Sequence, residues 1–334
     1  MPSTRAAAPG SRSRAPAKAS IFWIILIAFV LAMLEGLSSL HVVERARPGI
    51  VLDLFLRNYF AAMSKQYIED FRTRAFDANL GWTNPPNSLL IGVNKIGQSY
   101  EMHYGADGSR EDGLTEARPL VTTYGDSFTA GDEVNDDQSW PFVLQRLLGR
   151  DVRNFGTNAY GTDQAVLKFE QHVRSHLIAP VVVLGIMSEN INRIRNDFRP
   201  FYLPGTIYKL GFKPRYRCTA SGGAEAMVNP LQHFKSTAHE LRAVATEAAR
   251  SDPYAQSKLR LSWPFTAEMA RLFYEYGMAR FGKGSWLFPD RASLDLWADR
   301  DTSHLMRCIL KRFVTVARAQ GSAPILVFIP TAPE

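Results

Sequence analysis

Residues 179–187 read A-P-V-V-V-L-G-I-M, an apolar run with no polar alternation. A strand with one face in water alternates apolar and polar side chains, so an unbroken run needs cover on both faces. The run at 324–330, P-I-L-V-F-I-P, makes the same demand. Between and before these runs the pattern alternates with helical period. P-L-V-T-T-Y-G at 119–125 reads as a strand, 136–149 as a helix with Asp136 or Asp137 near its cap and Val143, Leu144, Leu147 and Leu148 on one face, and D-V-R-N-F-G at 151–156 as a second strand. Residues 162–177 follow as a helix with Val166, Phe169 and Val173 inward, and 301–321 as another with Leu305, Ile309, Phe313 and Val316 as its stripe. Strands alternating with helices predict an α/β fold whose parallel sheet is covered on each side.

This core occupies only part of the chain. Residues 1–19 are small, polar and basic (Arg5, Arg12, Arg14, Lys18), the composition of a disordered leader. Residues 20–40 carry I-F-W-I-I-L-I-A-F-V-L-A-M-L, with Glu35 as the single charge near one end. About 20 apolar residues cross a bilayer as a helix, so this stretch predicts a transmembrane anchor. The basic flank belongs on the cytoplasmic side, which sends everything after residue 40 outward. A cleaved signal peptide is the competing reading, but no small-x-small cleavage site follows the run. Residues 41–118 read as a stalk helix and a loop-rich lead-in, 119–196 as the first part of the core, 197–300 as a helical and loop insertion that caps or lids the sheet, and 301–334 as the second part of the core. The formal net charge of +7 is spread among carboxylates beyond the leader, so no nucleic-acid groove is expected. Two cysteines, Cys218 and Cys308, lack metal-type spacing; in an oxidising compartment they can pair or remain two free thiols.

In an open parallel sheet, ligands sit beyond the carboxyl ends of the strands. Three polar blocks fall there: Gly125-Asp126-Ser127, the stretch Asn154 to Gly161, and Ser188-Glu189-Asn190. Each alone has an ordinary explanation as a turn or a helix start. As an ordered set they resemble the SGNH (GDSL-type) hydrolases, a flavodoxin-like α/β/α family of esterases, lipases and carbohydrate O-acetyl-esterases or acyltransferases. The resemblance covers about residues 79–196, and 301–330 by pattern only. It implies Ser127 as nucleophile, Asn190 as a side-chain oxyanion donor, and a backbone N–H from the position held here by Ala159, where the family has glycine; Gly156 and Gly161 are alternative donors. Asp126 reads as an orienting acceptor, Glu133, Asp136 and Asp137 as a solvated loop, and Gln164 as a helix-start residue.

A serine hydroxyl needs a base. The family supplies it from an Asp-x-x-His block after the last strand, so the resemblance implies a further strand, helix and block beyond Glu334. One literal match lies earlier, Asp301-Thr-Ser-His304. It precedes the fourth strand, which would put it at the far end of the sheet, and Asp301 or Thr302 there would simply cap a helix. His172 and His176 fit surface or packing roles, and His103, His233 and His239 carry no supporting pattern. The expected function is a membrane-anchored serine esterase or O-acyltransferase acting on an ester, such as an O-acetylated carbohydrate, on the outer side of the membrane and without a cofactor or metal. The alternative is a non-catalytic relative that binds carbohydrate or takes part in polysaccharide assembly.

Overall fold

The computed structural model describes residues 15–40, 52–111, 113, 118–203, 210–259, 264–267, 269–270 and 293–330. Trp263, Trp286 and most of the helix expected near 264–280 lie outside them. Four short strands precede the core: β1 (Phe76–Asp77), β2 (Gly81–Trp82), β3 (Ser88–Val93) and β4 (Ser99–Tyr104), the last two forming an antiparallel hairpin. The core strands are β5 (Val121–Tyr124), β6 (Val152–Asn154) and β7 (Val181–Met187), and after the short β8 (Tyr216–Cys218) and β9 (Ala224–Ala226) comes β10 (Ala323–Ile329). They build a four-stranded sheet in the order β10-β7-β5-β6, parallel throughout. The chain is thus a mixed α/β protein with a parallel sheet at its centre.

Alternate residues of each strand feed different packing layers. Tyr124, Val182, Leu184 and Ile186 join the main apolar cluster with Val166 and Phe169 of the helix Thr162–Arg174 and Ile309 and Phe313 of the helix Arg300–Ala319. Val121, Val152 and Val183 point the other way, toward Trp140 and Leu144. The second layer is thinner than the periodicity predicted. In the helix Trp140–Leu148, Val143, Leu147 and Leu148 stay exposed, because only Trp140 and Leu144 reach the sheet.

The two segments expected as accessories are partly core. A helix over 52–61 places Leu52, Phe55, Leu56, Tyr59 and Phe60 in the main cluster, and Phe198, Phe201, Leu210, Phe212 and Tyr216 from the start of the expected insertion pack with them. Phe198 and Phe212 rings lie 4.6 Å apart and Tyr59 meets Phe198 at 5.5 Å, an edge-on contact favoured by aromatic quadrupoles. Cys218 and Cys308 are joined as a disulfide with Cα atoms 5.9 Å apart, fastening β8 to the Arg300–Ala319 helix. The helix Ala15–Ser39 contains a 20-residue stretch, Ser20–Ser39, long and apolar enough to cross a membrane.

His172 takes the packing role. Its ring sits 4.2 Å from that of Phe155 and its Nδ1 is 2.9 Å from the Tyr124 hydroxyl. Burial, reinforced by the Lys168 ammonium, lowers its pKa to about 3. The unfolded chain binds the proton near pH 6.5 and the folded chain does not, so stability present above that pH is lost as the pH falls toward 3. Thermal unfolding of His172→Phe across pH 4–7 should show a flatter loss of Tm than the parent; an unchanged slope would remove His172 from the acid response.

Candidate active site

Two glycines let the turn after β5 press into the sheet. A Cβ on Gly125 would lie 2.1 Å from Thr129 Oγ1 and 2.9 Å from the Gly185 carbonyl, and one on Gly156 would lie 2.2 Å from the Ala130 nitrogen. Any side chain at either position would push the turn off β7 or β6. Asp126 caps the short helix Ser127–Ala130, its Oδ1 accepting from the Phe128 N–H at 2.8 Å, and Gly131 closes the helix in the left-handed region. Ser127 is half-buried, borders a cavity of about 670 Å³, and its hydroxyl has no hydrogen-bond partner among the described residues.

The second block is held from beneath. Asn154 does not face a ligand: its amide donates to the Thr129 carbonyl at 2.9 Å and its Oδ1 accepts the Gly156 N–H at 2.9 Å. The Gly161 N–H is taken by Gln164 Oε1 at 3.2 Å, so neither alternative glycine has its N–H to offer. Ala159 is different. Its φ is +69°, in the left-handed region where glycine is at ease, its carbonyl accepts from Arg199, and its N–H has no partner among the described residues. The alanine therefore holds a backbone conformation that glycine adopts more easily.

Asn190 opens the turn after β7 and is fully buried, yet neither its Nδ2 nor its Oδ1 finds a hydrogen bond. It lies beside the Asp126 carboxyl, whose Oδ2 is also unpartnered, as is Oδ1 of buried Asn158. Burial pushes the Asp126 carboxyl above the usual range, opposed by the Arg193 guanidinium, the Phe128 N–H and the Asn190 amide. Buried polar atoms normally have partners, and here Asp126, Asn158 and Asn190, one from each block, carry side-chain atoms without a hydrogen bond to the described residues that meets the usual geometry. What the arrangement can do is stabilise an oxyanion: the Ser127 and Ala159 N–H groups have no partner among the described residues, and the Asn190 amide on the same rim faces only the Asp126 carboxyl.

Several residues that build this rim gave no signal in the sequence. Arg110, buried in the lead-in, donates from Nε to Asp136 at 2.7 Å and from its terminal nitrogens to the carbonyls of Ala130, Gly131 and Val134. It clamps the turn that ends the Ser127 helix. Asp136 is thus not part of a solvated loop; it also accepts from His103 Nδ1 at 2.7 Å, a bond that raises the His103 pKa. Lys168, buried, holds the second block through the Phe155 carbonyl and Thr157 Oγ1, and burial lowers its pKa to about 8. Arg193 donates to the Tyr160 carbonyl at 2.9 Å, tying the third block to the second, and pairs with Glu189. Burial would raise the Glu189 carboxyl, but Arg193 and the Tyr202 hydroxyl hold it below the usual range.

The Asp301–His304 stretch needs a correction of place. The helix Arg300–Ala319 runs antiparallel to β10, and just before it Trp297 Nε1 donates to the Ser188 carbonyl at 2.9 Å while its ring meets Phe328. The first turn therefore starts at the carboxyl rim, not at the far end, because a helix that precedes a parallel strand must begin where that strand finishes. Asp299, not Asp301 or Thr302, caps it, accepting from the Thr302 N–H at 3.0 Å. His304 is exposed and turns its Nε2 to Cys308 Sγ at 3.7 Å, against the disulfide; no described contact joins it to Ser127 or Asp126. Cys218, His304 and Cys308 bring ligand-type atoms within 4.8 Å of one another, but the two sulfurs are bonded to each other. A second cavity, of about 870 Å³, lies at the amino ends of the strands, away from the three blocks.

No family model matches the chain, and no curated protein matches it either.

Proposed function

We propose that the chain is a serine esterase or O-acyltransferase of the SGNH type, tethered to a membrane by its N-terminal helix with the folded domain on the outer side. The ester carbonyl is attacked by Ser127 Oγ, the alcohol leaves, and the acyl-enzyme passes its acyl group to water or to a sugar hydroxyl. The observation that carries this reading is the set of donors on the Ser127 rim: the N–H groups of Ser127 and Ala159, without a partner among the described residues, and the buried Asn190 amide beside the Asp126 carboxyl. Negative charge that builds on a carbonyl oxygen is stabilised by such donors, each worth about 10²–10³ in rate. The strand order supports the flavodoxin-like assignment, and β10 ends on this rim, its Ile329 carbonyl accepting from the Ser188 N–H at 3.1 Å.

Asn190→Ala tests the donor role. Turnover of a p-nitrophenyl acetate ester should fall by about 10²–10³ with KM little changed, because the lost bond forms with the transition state. Loss in KM alone would assign Asn190 to ground-state binding.

The bare Ser127 hydroxyl, with no described imidazole beside it, favours a second reading, a non-catalytic carbohydrate-binding or polysaccharide-assembly protein that fills the same donors with a sugar oxygen. An activated phosphonate discriminates: an adduct at Ser127 supports the enzyme, whereas saturable glycan binding with neither adduct nor turnover supports the binder.

A further inference from the structure

We propose that Cys218, His304 and Cys308 form a redox-gated site for a thiophilic metal ion, zinc foremost: a dithiol reductant opens the disulfide, and the two freed thiolates take the ion together with His304 Nε2. The inference stands apart from Ser127 and its rim, and it holds whether or not the chain turns over an ester.

The three ligand atoms lie within 4.8 Å of one another and come from two elements, Cys218 from the end of β8 and His304 and Cys308 from the helix Arg300–Ala319. Residues four apart on a helix share a face, one turn above the other. His304 Nε2 accordingly stands 3.7 Å from Cys308 Sγ, and among the described residues it has no other hydrogen-bond partner to hold it elsewhere. Zinc bonds of about 2.3 Å to sulfur and about 2.0–2.1 Å to nitrogen, at tetrahedral angles, separate such a pair by about 3.6 Å. One edge of a coordination polyhedron therefore exists already. The sulfur–sulfur edge needs only that the two cysteines part to about 3.8 Å, which rotation of a side chain supplies once their bond is broken.

Opening the disulfide does not scatter these groups. β8 is also held on the helix by Tyr216, which lies in the main cluster with Met306 and Ile309 and whose hydroxyl donates to Glu170 Oε1 at 3.2 Å, the oxygen that also accepts from Arg312 Nε at 2.7 Å. Cys218, at the other end of this short strand, stays beside Cys308. In the exchange itself, one thiolate of the dithiol attacks the half-buried Cys218 Sγ, the sulfur–sulfur bond breaks, and Cys308 leaves as a thiolate. The second thiol attacks the mixed disulfide and frees Cys218, so the cysteine pair gains two electrons and the dithiol becomes a disulfide. Cys308 is 1% exposed, and a thiolate there needs a counter-charge; a divalent ion supplies it, with two thiolates balancing its charge and a neutral imidazole as third ligand. Soft sulfur selects zinc or copper(I) over magnesium or calcium, and exposed His304 leaves the fourth position open to solvent. The covalent and the metal-held forms then clamp the same strand to the same helix.

The test uses the full chain in detergent, oxidised or else reduced with a phosphine and freed of it under argon, with cobalt(II) as the probe. The reduced chain should take one cobalt and show the near-ultraviolet sulfur-to-metal charge-transfer band and the strong visible bands of a tetrahedral site, both displaced by zinc, whereas the oxidised chain should show neither. His304 is exposed, so His304→Ala should fold as the parent does; once reduced it should bind cobalt at least about tenfold more weakly and with altered visible bands. The Cys218→Ser/Cys308→Ser variant should give no charge-transfer band. Reduction should lower the Tm, and zinc should return part of that loss in the parent chain and none in the double serine variant. Absence of the bands from the reduced parent overturns the proposal, as does an unchanged spectrum and affinity in His304→Ala. Bands that persist in the double serine variant overturn it by assigning the cobalt to other groups, and zinc binding without recovery of Tm overturns the clamp.

Discussion

Ser127→Ala is expected to abolish both phosphonate labelling and ester turnover while leaving thermal stability within about 0.5 kcal/mol of the parent, the usual range for a surface change away from special features. The serine is half-buried and its hydroxyl bonds to nothing described, so removing one oxygen leaves no orphan and no cavity. Its main-chain N–H and the Asp126 cap both survive the change. In a serine protease, loss of the nucleophile costs about 10⁶ in turnover, and the same order is expected here. Residual turnover within tenfold of the parent would mean that another group attacks the ester and that the donors around Ser127 serve something else.

Lys213→Met should be the most damaging single change to folding outside the apolar core. Lys213 is 1% exposed and donates to Asp163 Oδ2 at 2.6 Å and to the carbonyls of Arg193, Asn196 and Pro214 at 2.9–3.0 Å. Asp163 opens the helix that follows the second block, and Arg193 and Asn196 belong to the turn after the third, so one ammonium fastens the loop carrying Ala159 to the turn carrying Asn190. Burial drives the Asp163 carboxyl upward and Lys213 restrains it. Removing the cation leaves a buried carboxylate unpaired, which costs about 3–5 kcal/mol. Denaturant unfolding of Lys213→Met should show that loss, and the Lys213→Met/Asp163→Leu pair should recover much of it, since apolar replacement of both partners avoids the uncompensated charge. Equal destabilisation in single and double variants would assign the effect to the three carbonyls instead.

How far the fold was legible follows from how local its signals are. The unbroken run at Val181–Met187 required cover on both faces, and β7 lies between β5 and β10 with Val182, Leu184 and Ile186 buried on one side and Val183 on the other. Val166, Phe169, Ile309 and Phe313 were legible as helix stripes for the same reason: period and burial are both properties of a short stretch. The stripe at Val143, Leu147 and Leu148 misled because an amphipathic face shows what a helix can bury and not what is there to bury it. Asp136 looked solvated because its partner, Arg110, lies 26 residues earlier in a segment without periodicity.

The three polar blocks could be placed beyond three strand ends from sequence alone, since a parallel sheet aligns every carboxyl end at one rim. Whether their atoms were free could not. That Gly156 and Gly161 give up their N–H groups while Ala159 keeps its own depends on Asn154 and Gln164 folding back on them. That His304 turns to a disulfide depends on β8 arriving from ninety residues upstream. Hydrophobic pattern is written along the chain and repeats, so it determined the α/β class, the membrane-length helix and the rim. Hydrogen-bond satisfaction is a matter of distance and angle between residues far apart in sequence, so the tertiary structure alone decided which donors at that rim remain open.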